Sequence, residues 1–115
     1  NLMPQGMAAM CKAWPKGRVP ADFNQPLATK VPALVIAGEF DPVTPPRYGE
    51  EIVKSLPNGR LFVLRGQGHS VIGAGCMPKL FAQFVEKADA KALDGKCLDK
   101  LSYTPPFTSF NGWEP

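Results

Sequence analysis

The chain has 115 residues, 44% hydrophobic and 20% charged, with a formal net charge of +3. That composition excludes a disordered polymer, and the length allows one domain but not two. The thirteen Lys and Arg never form a run, which speaks against a nucleic-acid partner, and the longest apolar stretch, Val31–Gly38, falls far short of the ~20 residues of a membrane span.

From the N-terminus, Asn1-Leu2-Met3-Pro4-Gln5 has no basic flank and no apolar core, so no signal peptide is read there. The chain begins at Asn rather than Met, as expected of sequence preceded by an N-terminal part. Met3, Met7, Met10, Cys11 and Trp14 fall at helical spacing, predicting a helix over residues 3–14 that Pro15 ends. Pro15, Gly17, Pro20 and Pro26 predict an irregular connection to residue 30. Val31–Ala37 is a continuous apolar run with Pro32 at its start, consistent with a strand buried on both faces. Asp41–Pro46 is a turn, and Pro45 or Pro46 can begin a helix, where a missing N–H costs nothing. Arg47–Leu56 then reads as an amphipathic helix carrying Tyr48, Ile52 and Leu56, closed by Pro57-Asn58-Gly59. Arg60–Leu64 is a second strand, Gly66–Gly75 a glycine-rich loop, and Met77–Lys87 a helix with Leu80, Phe81, Phe84 and Val85 on one face. Asp89–Leu101 reads as a last short helix.

The order strand, helix, strand, helix predicts an α/β fold built on a parallel βαβα unit with a right-handed crossover. Two such strands need neighbours at both edges and helices on both faces, so the sheet is expected to be incomplete. Three segments are expected: residues 1–30 as helix and connection, 31–101 as the α/β segment, and 102–115 as an extended Pro- and aromatic-rich tail packed on a larger body. There is no internal repeat.

Asp41 lies just past the end of the first strand, where open α/β sheets build their sites. A carboxylate there can accept an imidazole Nδ1–H and fix the tautomer; the plainer reading is a turn-forming Asp before Pro. His69, the single histidine, follows the second strand in Gly66-Gln67-Gly68-His69-Ser70. An imidazole is the side chain best suited to take a proton and return it; the plainer reading is a surface-loop histidine. An acid after one strand and a histidine after the next is the order in which an α/β-hydrolase supplies the last two members of its triad. The first member, a serine in Gly-x-Ser-x-Gly, does not occur in this sequence, and neither Ser70 nor Ser55, Ser102 or Ser109 is assigned as nucleophile. Glu39 is a weak candidate for meeting a substrate amine, against a role in solvent or a local ion pair. Cys11, Cys76 and Cys97 include no Cys-x-x-Cys, and with one histidine a zinc site is not expected. A Cys76–Cys97 bridge would pin the helix behind the His69 loop, by about 3 kcal/mol from loop entropy. Cys11 would then pair outside these residues; three reduced, buried thiols are the alternative.

Gly38-Glu39-Phe40-Asp41-Pro42-Val43-Thr44-Pro45, Gly66-Gln67-Gly68-His69 and Gly75-Cys76-Met77-Pro78, with Cys11-Lys12-Ala13-Trp14-Pro15 upstream, resemble the C-terminal region of tripeptidyl aminopeptidase-like (TAP-like) α/β-hydrolases. That family looks related to proline iminopeptidases and includes secreted bacterial serine peptidases. The resemblance spans about residues 8–101. It implies the acid role for Asp41, the general-base role for His69, disulfides fitting an exported (secreted or periplasmic) enzyme, and residues 1–30 at the junction of lid and core. No metal or organic cofactor is implied. The expected partner is the N-terminal part of the same enzyme, carrying the serine, and the expected substrate a small peptide or ester. The chain alone is expected to be inactive. The alternatives are an esterase of the same fold, or a catalytically inactive module that completes the sheet of a partner chain.

Overall fold

A computed structural model describes residues 2–105 and 110. At its centre β1 (Ala33–Gly38) and β2 (Gly59–Leu64) pair in parallel, in register from Ala33↔Gly59 to Gly38↔Leu64. Parallel strands cannot be joined by a tight turn, and the connection here carries α2 (Pro46–Lys54). Pro46 starts that helix at a position where its lost N–H has no intrahelical partner.

Side chains alternate across the two strands. Val35 and Leu61 face α2, where Gly49 is buried against them; a Cβ on Gly49 would come within 2.9 Å of Leu61. Phe62 and Leu64 face the opposite way, into a core with Val71, Met77, Leu80, Leu93 and Leu98, against which Leu34 and Ile36 also pack. α3 (Met77–Lys87) supplies Met77 and Leu80 to this core, and the Cys76–Cys97 disulfide ties its N-terminal end to the closing 3₁₀ segment Gly95–Lys100.

Several expectations are corrected. β1 is covered on both faces but only half-buried along Ala33–Ile36, because its outer edge has no strand beside it among the described residues. On α2, Leu56 just past the helix is buried as expected, but Tyr48 and Ile52 are exposed; the covered side runs through Gly49 instead. Together Tyr48, Ile52 and Phe23–Leu27 line an apolar groove of about 720 Å³. On α3, Phe81 and Val85 are likewise exposed, and the inward face is Met77, Leu80 and Phe84. The Gly66–Gly75 loop holds a 3₁₀ turn at Val71–Gly73. The helix expected over Asp89–Leu101 forms only as Gly95–Lys100. Asp89 accepts the N–H groups of Lys91 and Ala92, Asp94 accepts that of Lys96, and Arg60 draws off the carbonyls of Lys91 and Leu93. These side-chain bonds compete with helical pairing.

α1 (Leu2–Ala13) forms where expected but buries none of its residues. The irregular segment after it is clipped to the sheet base by Ser55, which donates to the Leu27 carbonyl, and Asn58, which donates to that of Lys30. The radius of gyration is 19.0 Å, against about 13 Å for a compact domain of this length. Of the expected tail, residues 102–105 and 110 are described and the remainder lies outside the described residues. No helix among the described residues is long and apolar enough to cross a membrane.

Replacing Cys76 and Cys97 together by Ser should lower unfolding free energy by about 3 kcal/mol, the closure entropy of a loop of this size. Urea unfolding of the oxidised protein and the double variant measures the difference; superimposable curves would show that the bridge does not constrain this region.

Candidate active site

Past the end of β1 the chain stays zipped to the end of β2. The Glu39 N–H donates to the Leu64 carbonyl, and that of Phe40 to the Gln67 carbonyl. The chain then turns, the Asp41 N–H donating to the Gly38 carbonyl. This places Asp41 under the next loop, and it is the buried charged residue of the core region, 7% exposed. A buried carboxylate must be paired, and this one is saturated. Its Oδ1 accepts the N–H groups of Val43 at 2.8 Å and Thr44 at 3.0 Å. Its Oδ2 accepts the Thr44 hydroxyl at 2.7 Å and faces His69 Nδ1 at 2.8 Å. The Thr44 backbone N–H, then the Thr44 hydroxyl, the His69 ring and the Val43 N–H, hold the Asp41 carboxyl far below the usual carboxylate range, outweighing the opposing effect of burial.

His69 reaches this carboxylate because its loop lies directly over the end of β1. Gly66 turns the chain with φ +70°, a conformation open to glycine. The carbonyls of Gln67 and Gly68 then occupy the space a Cβ at residue 38 would take, so Gly38 is required to be glycine. After His69, Ser70 adopts the left-handed region (φ 66°, ψ 56°), uncommon outside glycine, and drops the chain into the core at Val71. An ionised carboxylate only accepts, so Nδ1 carries the ring hydrogen and Nε2 of a neutral ring holds the free lone pair. The side chain is 55% exposed, and beside it lies a cavity of about 240 Å³ lined by Ile36, Gly38, Thr44, Ser70, Val71 and Ile72 with the pair itself.

Glu39 points elsewhere. Its Oε2 accepts the Gly66 N–H at 2.8 Å and its Oε1 the Tyr103 hydroxyl at 3.0 Å, and it does not line the cavity. Ser55 lies at the far end of α2, and Ser109 lies outside the described residues. Ser70 lines the cavity but makes no hydrogen bond to His69 among the described residues. Cys11 is exposed on α1 and unbonded. Among the described residues no three His, Cys, Asp or Glu side chains converge as a metal site.

The sequence profile of the α/β-hydrolase family described as TAP-like protein matches residues 3–97. The chain belongs to the TAP-like protein family. No curated protein and no solved structure matches it. The parallel two-stranded sheet with its helices is accordingly part of an α/β-hydrolase fold.

Sequence reasoning missed three residues around the pair in this TAP-like chain. Thr44 was readable in principle, since Asp followed three residues later by Thr is a spacing for local side-chain bonding. Gly38 opens the motif that carries Asp41, but nothing in that motif shows that a loop crosses over it. Tyr103 is 64 residues from Glu39, and nothing local announces that contact.

Gly38→Ala should displace the Gln67–Gly68 carbonyls and separate His69 from Asp41, observed as loss of the low-field Nδ1–H resonance in proton NMR; an unchanged resonance would show that the loop has room to spare. The pH dependence has a definite sign. Because folding depresses the Asp41 pKa, its contribution to stability is complete above the ordinary value of 3.8 and disappears as pH falls from there through the folded value. Asp41→Asn should therefore flatten the acid limb of a stability-versus-pH curve below 3.8 while leaving the limb above it parallel to wild type.

Proposed function

We propose that this chain supplies the acid and the general base of a serine hydrolase whose nucleophile is carried by an N-terminal part of the same enzyme. One observation carries the reading: Asp41 Oδ2 and His69 Nδ1 stand 2.8 Å apart at the ends of adjacent parallel strands, with the half-exposed His69 side chain lining a cavity. Membership of the TAP-like protein family supports it. In this reading His69 Nε2 takes the proton of the serine hydroxyl as its oxygen attacks a substrate carbonyl. The ring becomes an imidazolium whose Nδ1–H stays on the ionised Asp41. Nε2 then passes the proton to the leaving group, an acyl-serine forms, and a water activated by the same nitrogen hydrolyses it. Asp41 holds the tautomer throughout and does not itself take the proton. No step of this scheme is routed through a metal or organic cofactor.

The family points to a small peptide cleaved near its N-terminus as substrate; an ester would follow the same chemistry. The Cys76–Cys97 bridge supports a secreted or periplasmic setting, since disulfides persist in oxidising compartments. The half-buried edge of β1 and the uncovered α1 fit seating against that N-terminal part. The same two features favour a second reading, an inactive module that completes a partner's sheet.

Activity separates the two. In the complete polypeptide, His69→Ala should reduce kcat by about 10³-fold with KM little changed, as for loss of a general base. Near-wild-type turnover would remove His69 from the reaction, and a complete polypeptide with no turnover at all would favour the inactive module. A fluorophosphonate probe should label one serine of the complete enzyme and none of the residues in this chain.

A further inference from the structure

The loop that presents His69 has an anchor that the proton-transfer chemistry does not use. Glu39 sits between two donors from distant parts of the chain, the Gly66 N–H at the start of the His69 loop and the hydroxyl of Tyr103 beyond the last 3₁₀ segment. Tyr103 is held there from two further sides. Its ring stacks on Phe40 at 5.7 Å between centroids, and the Arg65 guanidinium lies 4.5 Å over it. The backbone is close as well: a Cβ on Gly66 would come within 3.0 Å of the Ser102 carbonyl and 3.3 Å of the Tyr103 Cα. Two adjacent pairs of residues at the strand ends, Glu39 and Phe40 on one and Arg65 and Gly66 on the other, therefore converge on one aromatic residue.

We propose that Ser102–Tyr103 is a strap that fixes the His69 loop through Glu39, making Glu39 and Tyr103 positioning residues for the Asp41–His69 pair. The logic is mechanical. The Glu39 carboxylate joins the loop after β1, which carries Asp41 two residues on, to the loop after β2, which carries His69 three residues on. With both oxygens engaged, the carboxylate holds the two loop origins at a fixed separation. Hydrogen bonds to a charged acceptor are the stronger kind, and a loop so short transmits a displacement of Gly66 to His69. Glu39 is thereby given a role different from meeting a substrate amine.

The proposal rests on the hydrolase reading for its kinetic consequence but not for its structural one, so the test has two readouts. The complete enzyme carries Tyr103→Phe, which keeps the ring stack and removes only the hydroxyl, or Glu39→Gln, which retains a single acceptor oxygen. The first readout is the His69 Nδ1–H resonance in proton NMR. It should broaden or exchange faster in both variants, more so in Glu39→Gln. The second is steady-state kinetics. Both variants should lower kcat, by about 3-fold for Tyr103→Phe and about 10-fold for Glu39→Gln, in line with loss of one hydrogen bond to a charged group, with KM unchanged. A resonance and a kcat that stay at wild-type values in both variants overturn the strap. So does a KM increase confined to substrates with a free α-amino group, which would make Glu39 a substrate anchor. If His69→Ala retains turnover while Tyr103→Phe still disturbs the resonance, the hydrolase reading fails and the strap stands.

Discussion

A carboxylate withdrawn from water must find hydrogen bonds for its oxygens, and the region around both strand ends is arranged to meet that demand for Asp41. Two backbone N–H groups, one hydroxyl and one ring nitrogen converge on it. Three of the four come from the turn that Asp41 itself begins, so the turn is held by its own first residue. The fourth comes from a separate loop, and it fixes where that loop lies. Several local features follow. Gly38 lacks a side chain because the loop has to cross above it, Gly66 takes a positive φ to start that crossing, and Ser70 takes one to end it.

The remainder of the described chain stands behind this arrangement. Val71 leaves the loop and enters the core immediately, meeting Met77 and Leu80 of α3 and Leu64 of β2. The disulfide closes that core from the far side by joining the start of α3 to the final 3₁₀ segment. The packing is one-sided. Leu64 and Met77 are fully buried, while the apolar residues of α1 and the outward residues of α2 and α3 are not. A chain with so open a profile gains its order from a small, well-packed cluster that Val71 joins two residues after His69.

How much of this was legible in the sequence depended on the range of the interaction. Strand and helix positions were readable because apolar runs and proline positions act locally, and α3 begins and ends where its pattern says. The meeting of Asp41 and His69 was readable because parallel strands joined by one helix bring their C-terminal ends together. The Cys76–Cys97 pairing was one of two open alternatives, and the structure contains it. What stayed hidden was decided by partners. Tyr48, Ile52, Phe81 and Val85 have the apolar character of core residues, but a periodic pattern does not say which part of a wide stripe is covered. The Asp89–Asp94 stretch has helix-compatible residues, yet Arg60, some thirty positions earlier, holds the carbonyls that helix pairing would need. Glu39 read as a free carboxylate because neither of its donors is nearby in sequence.

The disulfide also changes the polymer statistics of the longest-range contact. Glu39 and Tyr103 are 64 residues apart along the chain, against 28 for Asp41 and His69. In a flexible chain that difference adds only about 0.7 kcal/mol of closure entropy, less than a typical hydrogen bond returns. With Cys76 joined to Cys97, the shortest covalent path from Glu39 to Tyr103 skips all of α3 and falls to about 44 residues, which removes a few tenths of a kcal/mol of that excess. The bridge thus acts as a shortcut in the connectivity of the chain. It makes a contact between the middle of the sequence and its end behave, entropically, more like a local one.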